Sequence, residues 1–141
     1  MSDTNHPMLT GSCCCGKVSF SLADDFSQFY FCHCQQCQKL TGSAHAANLL
    51  TAPENIQWLQ GEELLKRYDH PRRSFTKVFC TACGSGLPFL TQSKLFLIVP
   101  AGCLDTPPTR QPDAQMFCAE QTDWHQLGID APKHDGFPCN D

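Results

Sequence analysis

The feature that most constrains this sequence is the clustering of its cysteines. Eight of the eleven cysteines in 141 residues fall in three short segments, at residues 13–15, 32–37 and 80–83. A chain of this length forms a single domain with a modest apolar core, so links between its segments contribute much of its stability. The sequence therefore predicts a small fold held together by disulfides or by metal ions.

The N-terminal residues and the cysteine count distinguish between these two kinds of link. Residues 1–7 lack the basic and apolar regions of a secretory signal, and no apolar run reaches the roughly 20 residues needed to cross a bilayer. The odd number of cysteines leaves one thiol unpaired. We therefore expect a cytoplasmic, reducing location, where thiols bind metal. A secreted disulfide domain whose signal has been removed is the alternative.

The formal charge of −4 disfavours a nucleic-acid partner, because phosphate-backbone binding requires a positive surface. The sequence likewise predicts no membrane partner. One basic concentration exists, and it consists of Lys66, Arg67, His70, Arg72, Arg73 and Lys77. It would either receive the carboxylates of an anionic thiol or form a solvated strand–turn–strand face.

Short apolar segments separated by turn residues predict a mainly β fold. The predicted strands cover residues 17–22, 29–31, 44–50, 56–59, 64–68, 74–79 and 95–99. One helical turn is predicted at residues 38–40, with Gly42 as its stop. We expect an N-terminal tail at residues 1–10, a zinc domain at 11–125 and a C-terminal tail at 126–141 that wraps the domain.

The segment Cys80-Thr81-Ala82-Cys83-Gly84 has the spacing of half a zinc site. Two intervening residues let both sulfurs face one ion, and a following glycine takes a positive φ without steric penalty. Amide groups in such a turn point at the sulfurs. A tetrahedral site then needs a second pair of ligands.

Cys13 and Cys15 supply that pair, because alternate residues of an extended chain point to the same side. Cys14 then points away. Together with Cys80 and Cys83 they form a four-cysteine cluster, which is typical of a closed, structural zinc site. Such a site closes a loop of roughly 65 residues and adds to the folding free energy.

The three-cysteine cluster, Cys32, Cys34 and Cys37, offers three sulfurs within six residues. Three protein ligands with an open fourth position are typical of a catalytic zinc. The alternative is a closed site in which one further residue is the fourth ligand: Cys103, Cys118, Cys139 or His125.

Three thiolates on one Zn²⁺ leave a net charge of −1, which makes the ion a weak generator of hydroxide. A thiol entering the open position would instead be held as a thiolate and presented to an electrophile. The ligand set therefore favours thiol chemistry over hydrolysis. A labile zinc with a storage or redox role is the alternative.

The three segments, in this order, resemble the glutathione-dependent formaldehyde-activating enzyme family, also described as the centromere protein V family. The resemblance rests on Cys13-x-Cys15-Gly16-x-Val18-x-Phe20, on the segment from Cys32 to Ser43, and on Phe79-Cys80-x-x-Cys83-Gly84-Ser85. The segment from Ala101 to Asp105 and Trp124 extend it.

This resemblance implies an Mss4-like β fold with two zinc ions. The structural ion would bind the four-cysteine cluster. The catalytic ion would bind the three-cysteine cluster, where glutathione and formaldehyde combine in a carbon–sulfur lyase type of reaction. The partners implied are a small thiol and an aldehyde. The alternative is a non-catalytic zinc module of the same fold that binds proteins.

Other residues carry weaker expectations. His33 lies between two ligands, so it would point away from the metal and take a surface role or act as a proton shuttle. His45 and His125 would line a pocket, and Trp124 would either line it with them or be a core residue. The remaining cysteines are expected to be small buried hydrophobes or idle thiols: Cys14, Cys103, Cys118 and Cys139.

Overall fold

The computed structural model describes residues 6–138, in which short strands account for most of the regular structure. The strands are β1 (Met8–Ser12), β2 (Ser19–Ala23), β3 (Gln28–Cys32), β4 (Ala46–Thr51), β5 (Gln57–Gln60), β6 (Leu65–Asp69), β7 (Thr76–Cys80), β8 (Gly86–Leu87), β9 (Phe89–Leu90), β10 (Leu97–Pro100) and β11 (Ala114–Met116). The α-helices are α1 (Gln35–Thr41) and α2 (Asp123–Ile129). Neither they nor any other helix of residues 6–138 combines the length and the apolar character that a membrane span requires.

The strands form three sheets. Their orders are β1-β2-β5, β11-β3-β4-β10-β9 and β6-β7-β8. Neighbouring strands pair antiparallel, except that β11 runs parallel to β3, with Met116 opposite Cys32. The five-stranded sheet therefore carries the three-cysteine cluster at the end of β3, whereas β7 of another sheet carries Cys80.

One apolar core receives side chains from all three sheets. Phe20 of β2, Leu49 of β4 and Leu87 of β8 are each fully buried in it. In β2 the buried side chains of Phe20 and Leu22 alternate with partly exposed ones, as the sequence pattern predicts. Full burial of a side chain such as Phe20 contributes about 1.5–3 kcal/mol to folding.

All seven predicted strands and the predicted helical turn are confirmed. Helix α1 ends at Gly42, which takes the left-handed conformation with a φ of 65°. The sequence pattern did not indicate β1, β8, β9, β11 or α2, since the first four are short or lack apolar alternation. The expectation of a single helical turn was therefore wrong.

The predicted domain boundaries stay predictions. Strand β1 begins at Met8, before the predicted boundary at residue 11, and α2 runs across the predicted boundary at residue 125. Residues 1–5 and 139–141, at the ends of the two predicted tails, lie outside the described residues, and so does Cys139.

Candidate metal centres

The four-cysteine cluster comes together as the spacing predicts. Its four sulfurs lie within 4.8 Å of one another. The sulfurs of Cys13 and Cys15 are 3.5 Å apart, and those of Cys15 and Cys80 are 3.9 Å apart. A disulfide would need about 2.05 Å, whereas a tetrahedral zinc with Zn–S bonds of about 2.3 Å separates its sulfurs by about 3.8 Å. The four-cysteine cluster therefore fits a zinc ion and not a pair of disulfides.

The turn after β7 has the predicted conformation. Gly84 has a φ of 81°, and its N–H donates to the carbonyl oxygen of Cys80 at 2.7 Å. The Ala82 N–H donates to Cys80 Sγ at 3.3 Å. A side chain on residue 84 would be strained in this conformation, so glycine allows the turn that aims a backbone amide at the sulfur.

The turn after β1 repeats this arrangement. Gly16 has a φ of 79°, and the Val18 N–H donates to Cys13 Sγ at 3.3 Å. Ser85 joins the two turns, because its hydroxyl accepts from the Cys14 N–H at 2.8 Å and lies 3.2 Å from Cys83 Sγ. Hydrogen bonding from the Ser85 side chain and backbone lowers the pKa of the Cys83 thiol to about 5, which favours the thiolate that a metal needs.

The three-cysteine cluster lies where β3 passes into α1. Cys32 is the last residue of β3, Cys34 is the N-cap of α1, and Cys37 is in the helix. The sulfur of Cys34 accepts from the Cys37 N–H at 3.4 Å. All three sulfurs lie within 4.8 Å of one another, and all three residues are buried. The local fold of six residues is therefore sufficient to bring the ligands together.

The segment after β11 holds the start of α1. The Gln35 N–H donates to Glu120 Oε1 at 2.9 Å, which satisfies a free amide at the helix N-terminus. The Gln38 side chain donates to the backbone carbonyls of His33 at 2.8 Å and Glu120 at 3.0 Å. The orientation of the cluster thus depends on contacts with residues more than 80 positions away.

The environment of Cys32 and Cys37 disfavours ionisation of their thiols without a cation. Burial raises the pKa of Cys32. Burial also raises the pKa of Cys37, and its hydrogen bonds with Cys32 and Cys34 raise it further. A bound divalent cation reverses this effect, since coordination deprotonates a thiol. The soft, three-sulfur donor set therefore fits zinc.

Among residues 6–138, no fourth metal-ligating side chain joins the three-cysteine cluster. Cys103 packs against the apolar core, where burial raises its pKa to about 12, and Cys118 is exposed. His125 packs against other histidines. This geometry favours an open fourth position over closure by these three residues, and the part of that alternative that involves Cys139 falls outside the described chain.

Three histidines pack together beside β3. The ring centroid of His33 lies 5.0 Å from that of His45 and 4.9 Å from that of His125. The surface role expected for His33 was wrong, because its side chain is fully buried and Nε2 lies 2.8 Å from Gln115 Oε1. Burial and then the neighbouring His33 and His45 lower the pKa of His125. The neutral form of the His125 ring is therefore favoured.

The pocket predicted for His45 and His125 is present, and both residues line a depression on this side of β3. Trp124 was expected in the core, but 57 % of its surface is exposed. Cys14 is exposed as well. Cys14, Cys103 and Cys118 therefore stay outside both clusters.

A cavity of about 420 Å³ adjoins the three-cysteine cluster, and Cys32 and Cys37 form part of its wall. We call it the cysteine cavity. Its other walls come from α1, β4, β7 to β9, β10 and the residues around Met116. Sequence reasoning missed this space, since its walls are distant from one another along the chain.

The basic residues between 66 and 77 do not converge on one site. Lys77 lines the cysteine cavity, whereas Lys66 and Arg67 line a separate depression. Arg67 Nε donates to Asp69 Oδ2 at 2.9 Å, and Arg72 is exposed. A solvated face describes most of this segment better than an anion site does.

Comparison with known proteins identifies the family to which this chain belongs. The sequence model of the glutathione-dependent formaldehyde-activating enzyme matches residues 8–120, which include both cysteine clusters. The chain belongs to this family. No curated protein matches the chain significantly. Membership in the glutathione-dependent formaldehyde-activating enzyme family therefore rests on the family model and not on a close, characterised relative.

A solved structure supports the fold of this family member. The crystal structure of a Rhodobacter sphaeroides protein, a structural-genomics target, superimposes with a TM-score of 0.60 at 19 % sequence identity. The match covers 76 % of this chain and 99 % of the other. At this identity the similarity concerns the fold alone.

Proposed function

We propose that this protein is a zinc-dependent enzyme of the carbon–sulfur lyase type, which adds a glutathione-like thiol to a small aldehyde such as formaldehyde or catalyses the reverse reaction. Cys13, Cys15, Cys80 and Cys83 would hold a structural zinc. The three-cysteine cluster would hold the catalytic one. Because the proposed ligands must stay reduced, we also propose a cytoplasmic location.

One observation carries this proposal. Three buried thiols have no fourth ligand among residues 6–138, and two of them, those of Cys32 and Cys37, form part of the wall of a cavity large enough for a substrate. A structural site would have a fourth protein ligand and would need no adjoining cavity. Family membership supports the same reaction class at the level of the family.

The three-cysteine cluster would hold a zinc ion, whose positive charge would keep an added thiol deprotonated at neutral pH. In the overall reaction the thiol sulfur bonds to the carbonyl carbon, and the π electron pair of the carbonyl moves to its oxygen. The proton that left the thiol ends on that oxygen. Nothing is oxidised or reduced, so the reaction requires no further cofactor.

Lys77 is the residue of this chain that we assign to the carbonyl oxygen. It lines the cysteine cavity, and its ammonium donates one hydrogen bond to the backbone carbonyl of Leu40, three residues after Cys37. An ammonium has three donors, so two remain for a ligand. A donor aimed at an oxygen that gains negative charge stabilises the transition state more than the ground state.

The direct test measures the exchange between glutathione, aldehyde and their adduct by NMR, with formaldehyde as the first aldehyde. Zinc-loaded protein is expected to accelerate formation of the carbon–sulfur bond above the uncatalysed rate. Cys34→Ser should abolish the acceleration while the four-cysteine cluster keeps its zinc. The matched control is Cys14→Ser, since Cys14 is an exposed thiol outside both clusters. Equal rates with Cys34→Ser and the unchanged protein would refute the proposal.

The second candidate function is a non-catalytic module that binds proteins. It is favoured by the apolar side chains exposed on α2, of which Trp124, Leu127 and Ile129 expose 57 %, 70 % and 49 % of their surfaces. This candidate predicts two inert zinc ions and no effect of added thiol on either. The rate measurement above therefore separates the two functions.

A further inference from the structure

The size of the cysteine cavity does not match the smallest aldehyde. Its volume of about 420 Å³ lies in the range of pockets that enclose a ligand of many atoms. Formaldehyde has two non-hydrogen atoms and would leave most of this space filled with water. A carbonyl compound that fills the cavity must therefore carry a chain or a ring.

The walls of the cavity determine what kind of chain or ring can bind. Partly exposed apolar residues from different parts of the chain line it, among them Phe75 before β7, Phe89 of β9 and Ile98 of β10. A further part of the wall comes from Met116, the last residue of β11, and Phe117, which follows it. Removing such surface from water is favourable only if the ligand itself is apolar.

The charges of the cavity exclude a peptide-like thiol from this space. Among the described residues, Lys77 is the one charged side chain in the wall, and one of its donors is already engaged by Leu40. The tripeptide glutathione has two carboxylates and an ammonium group at neutral pH. Burying these charges without partners is costly. Lys66 and Arg67 cannot serve as partners, because they line a different depression.

We propose that the cysteine cavity binds the carbon chain or ring of an apolar aldehyde several carbons larger than formaldehyde, with its carbonyl group towards Cys32 and Cys37. Only the sulfur end of the thiol reaches the three-cysteine cluster, and its charged groups stay in solvent. This inference rests on the proposed function, since it names the carbonyl substrate of that same site. Lys77 then faces the carbonyl oxygen, and the apolar walls enclose the rest of the molecule.

The experiment compares formaldehyde, propanal, hexanal and benzaldehyde as substrates of the zinc-loaded protein, with glutathione as the common thiol. Each methylene that is fully buried should raise kcat/KM about fourfold, so incomplete burial of three methylenes still gives at least a tenfold gain from propanal to hexanal. Propanal and hexanal have carbonyl groups of similar reactivity, so their ratio reports burial of the chain. Hexanal turned over no more efficiently than propanal would overturn the inference and leave the proposed function standing.

Two variants test whether the preference for a longer aldehyde arises in the cysteine cavity. Phe117 lines the cavity, exposes 58 % of its surface and has a φ of 57°, a conformation that asparagine adopts readily. Phe117→Asn should therefore keep the fold and reduce the ratio of hexanal to propanal. Leu127→Asn removes a similarly exposed apolar side chain outside the cavity and should leave that ratio unchanged. Equal ratios in both variants and the unchanged protein would contradict the assignment of the cavity.

A binding measurement keeps the inference testable if no aldehyde is turned over and the proposed function fails. The unreactive probe is 1-hexanol, added to zinc-loaded protein with ¹³C-labelled methionine methyl groups. The Met116 signal should shift saturably, because Met116 lines the cavity. The Met8 signal is the internal control, since Met8 is exposed on β1. An unshifted Met116 signal would show that the cavity does not bind an apolar chain.

Discussion

The two cysteine clusters differ in the distance along the chain that their ligands span. The four-cysteine cluster joins the turn after β1 to the turn after β7, and Cys15 and Cys80 are 65 residues apart. The three-cysteine cluster lies within six residues, from the end of β3 to the first turn of α1. An ion in the first cluster would cross-link two sheets, whereas an ion in the second would link only neighbours in the sequence.

Their surroundings differ as well. In the four-cysteine cluster Cys15 and Cys83 are exposed and backbone amides point at the sulfurs of Cys13 and Cys80. In the three-cysteine cluster every ligand is buried and a cavity adjoins two of them. Under the proposed function, the same ligand type would stabilise the fold in one place and leave a coordination position for a substrate in the other.

The largest expected difference concerns stability. Cys83→Ser should lose the cooperative fold, because a structural zinc contributes about 10–16 kcal/mol in small peptides and a whole domain has only about 5–15 kcal/mol of stability. Cys34→Ser should retain the fold, since its cluster closes no long loop. Thermal unfolding followed by circular dichroism measures both.

The control for these two variants is Cys14→Ser, which removes an exposed thiol that lies next to ligands in the sequence. It should unfold at the same temperature as the unchanged protein. Equal destabilisation by Cys83→Ser and Cys34→Ser would contradict the division between a structural and a catalytic cluster.

Much of this comparison could be predicted from the sequence. The ligand sets follow from spacing alone, because C-x-C and C-x-x-C segments place sulfurs on one side of a turn whatever the rest of the chain does. The positive φ of Gly84 is confirmed for the same reason. Likewise, the alternation in β2 was sufficient to predict a half-buried strand.

The features that could not be predicted from the sequence depend on contacts between residues that are distant along the chain. His33 has the sequence pattern of a surface residue, and its burial depends on β11, whose Gln115 contacts it across 82 positions. The cysteine cavity is enclosed by residues of α1, β4, β7 and β10, which are far apart along the chain, so no local pattern records it. Trp124 lies on a helix too short for its exposed face to be read from periodicity.

The two clusters should lose their metal ions at different rates. The protein is expected to bind two zinc ions, of which the one on the three-cysteine cluster leaves first when a chelator is added. A thiol that fills the open position should slow this loss and leave the other ion unaffected. Native mass spectrometry counts both ions over time. Two ions lost together, with no effect of thiol, would argue for two closed sites.

The next expected effect is on catalysis at the three-cysteine cluster. Lys77→Met should lower kcat about 100-fold, the loss typical of removing one donor to a developing oxyanion, with a much smaller change in KM. Lys77→Arg should restore part of the rate. Lys66→Met is the matched control, because Lys66 lies outside the cysteine cavity. If Lys66→Met and Lys77→Met reduced kcat equally, the assignment of Lys77 as the donor to the carbonyl oxygen would be contradicted.

The smallest expected effect concerns two carboxylates. One is hydrogen-bonded to β3, the strand that ends at Cys32, and the other lies in the β6–β7 hairpin, which ends at Cys80. Asp113 accepts from the Phe29 N–H at 2.8 Å and so ties the chain before β11 to β3, whereas Asp69 bonds Arg67 and Thr76 within the β6–β7 hairpin. Hydrogen bonding from Arg110, and then from the Phe29 N–H, lowers the pKa of Asp113. Asp113→Asn should lower Tm by about 2 °C at neutral pH, because exposed ion pairs contribute little.

The pH dependence of this difference follows from the direction of the shift. A carboxyl group whose pKa is lowered by folding stabilises the fold above its unfolded pKa of about 3.9. The gap in Tm between Asp113→Asn and the unchanged protein should therefore be constant above about pH 5. It should close as the pH falls through the lowered pKa of the folded state. Asp69→Asn should show the same pH dependence with a smaller difference in Tm, because Asp69 joins neighbours in one hairpin. A difference in Tm that widened in acid would contradict the stabilising role assigned to Asp113 and Asp69.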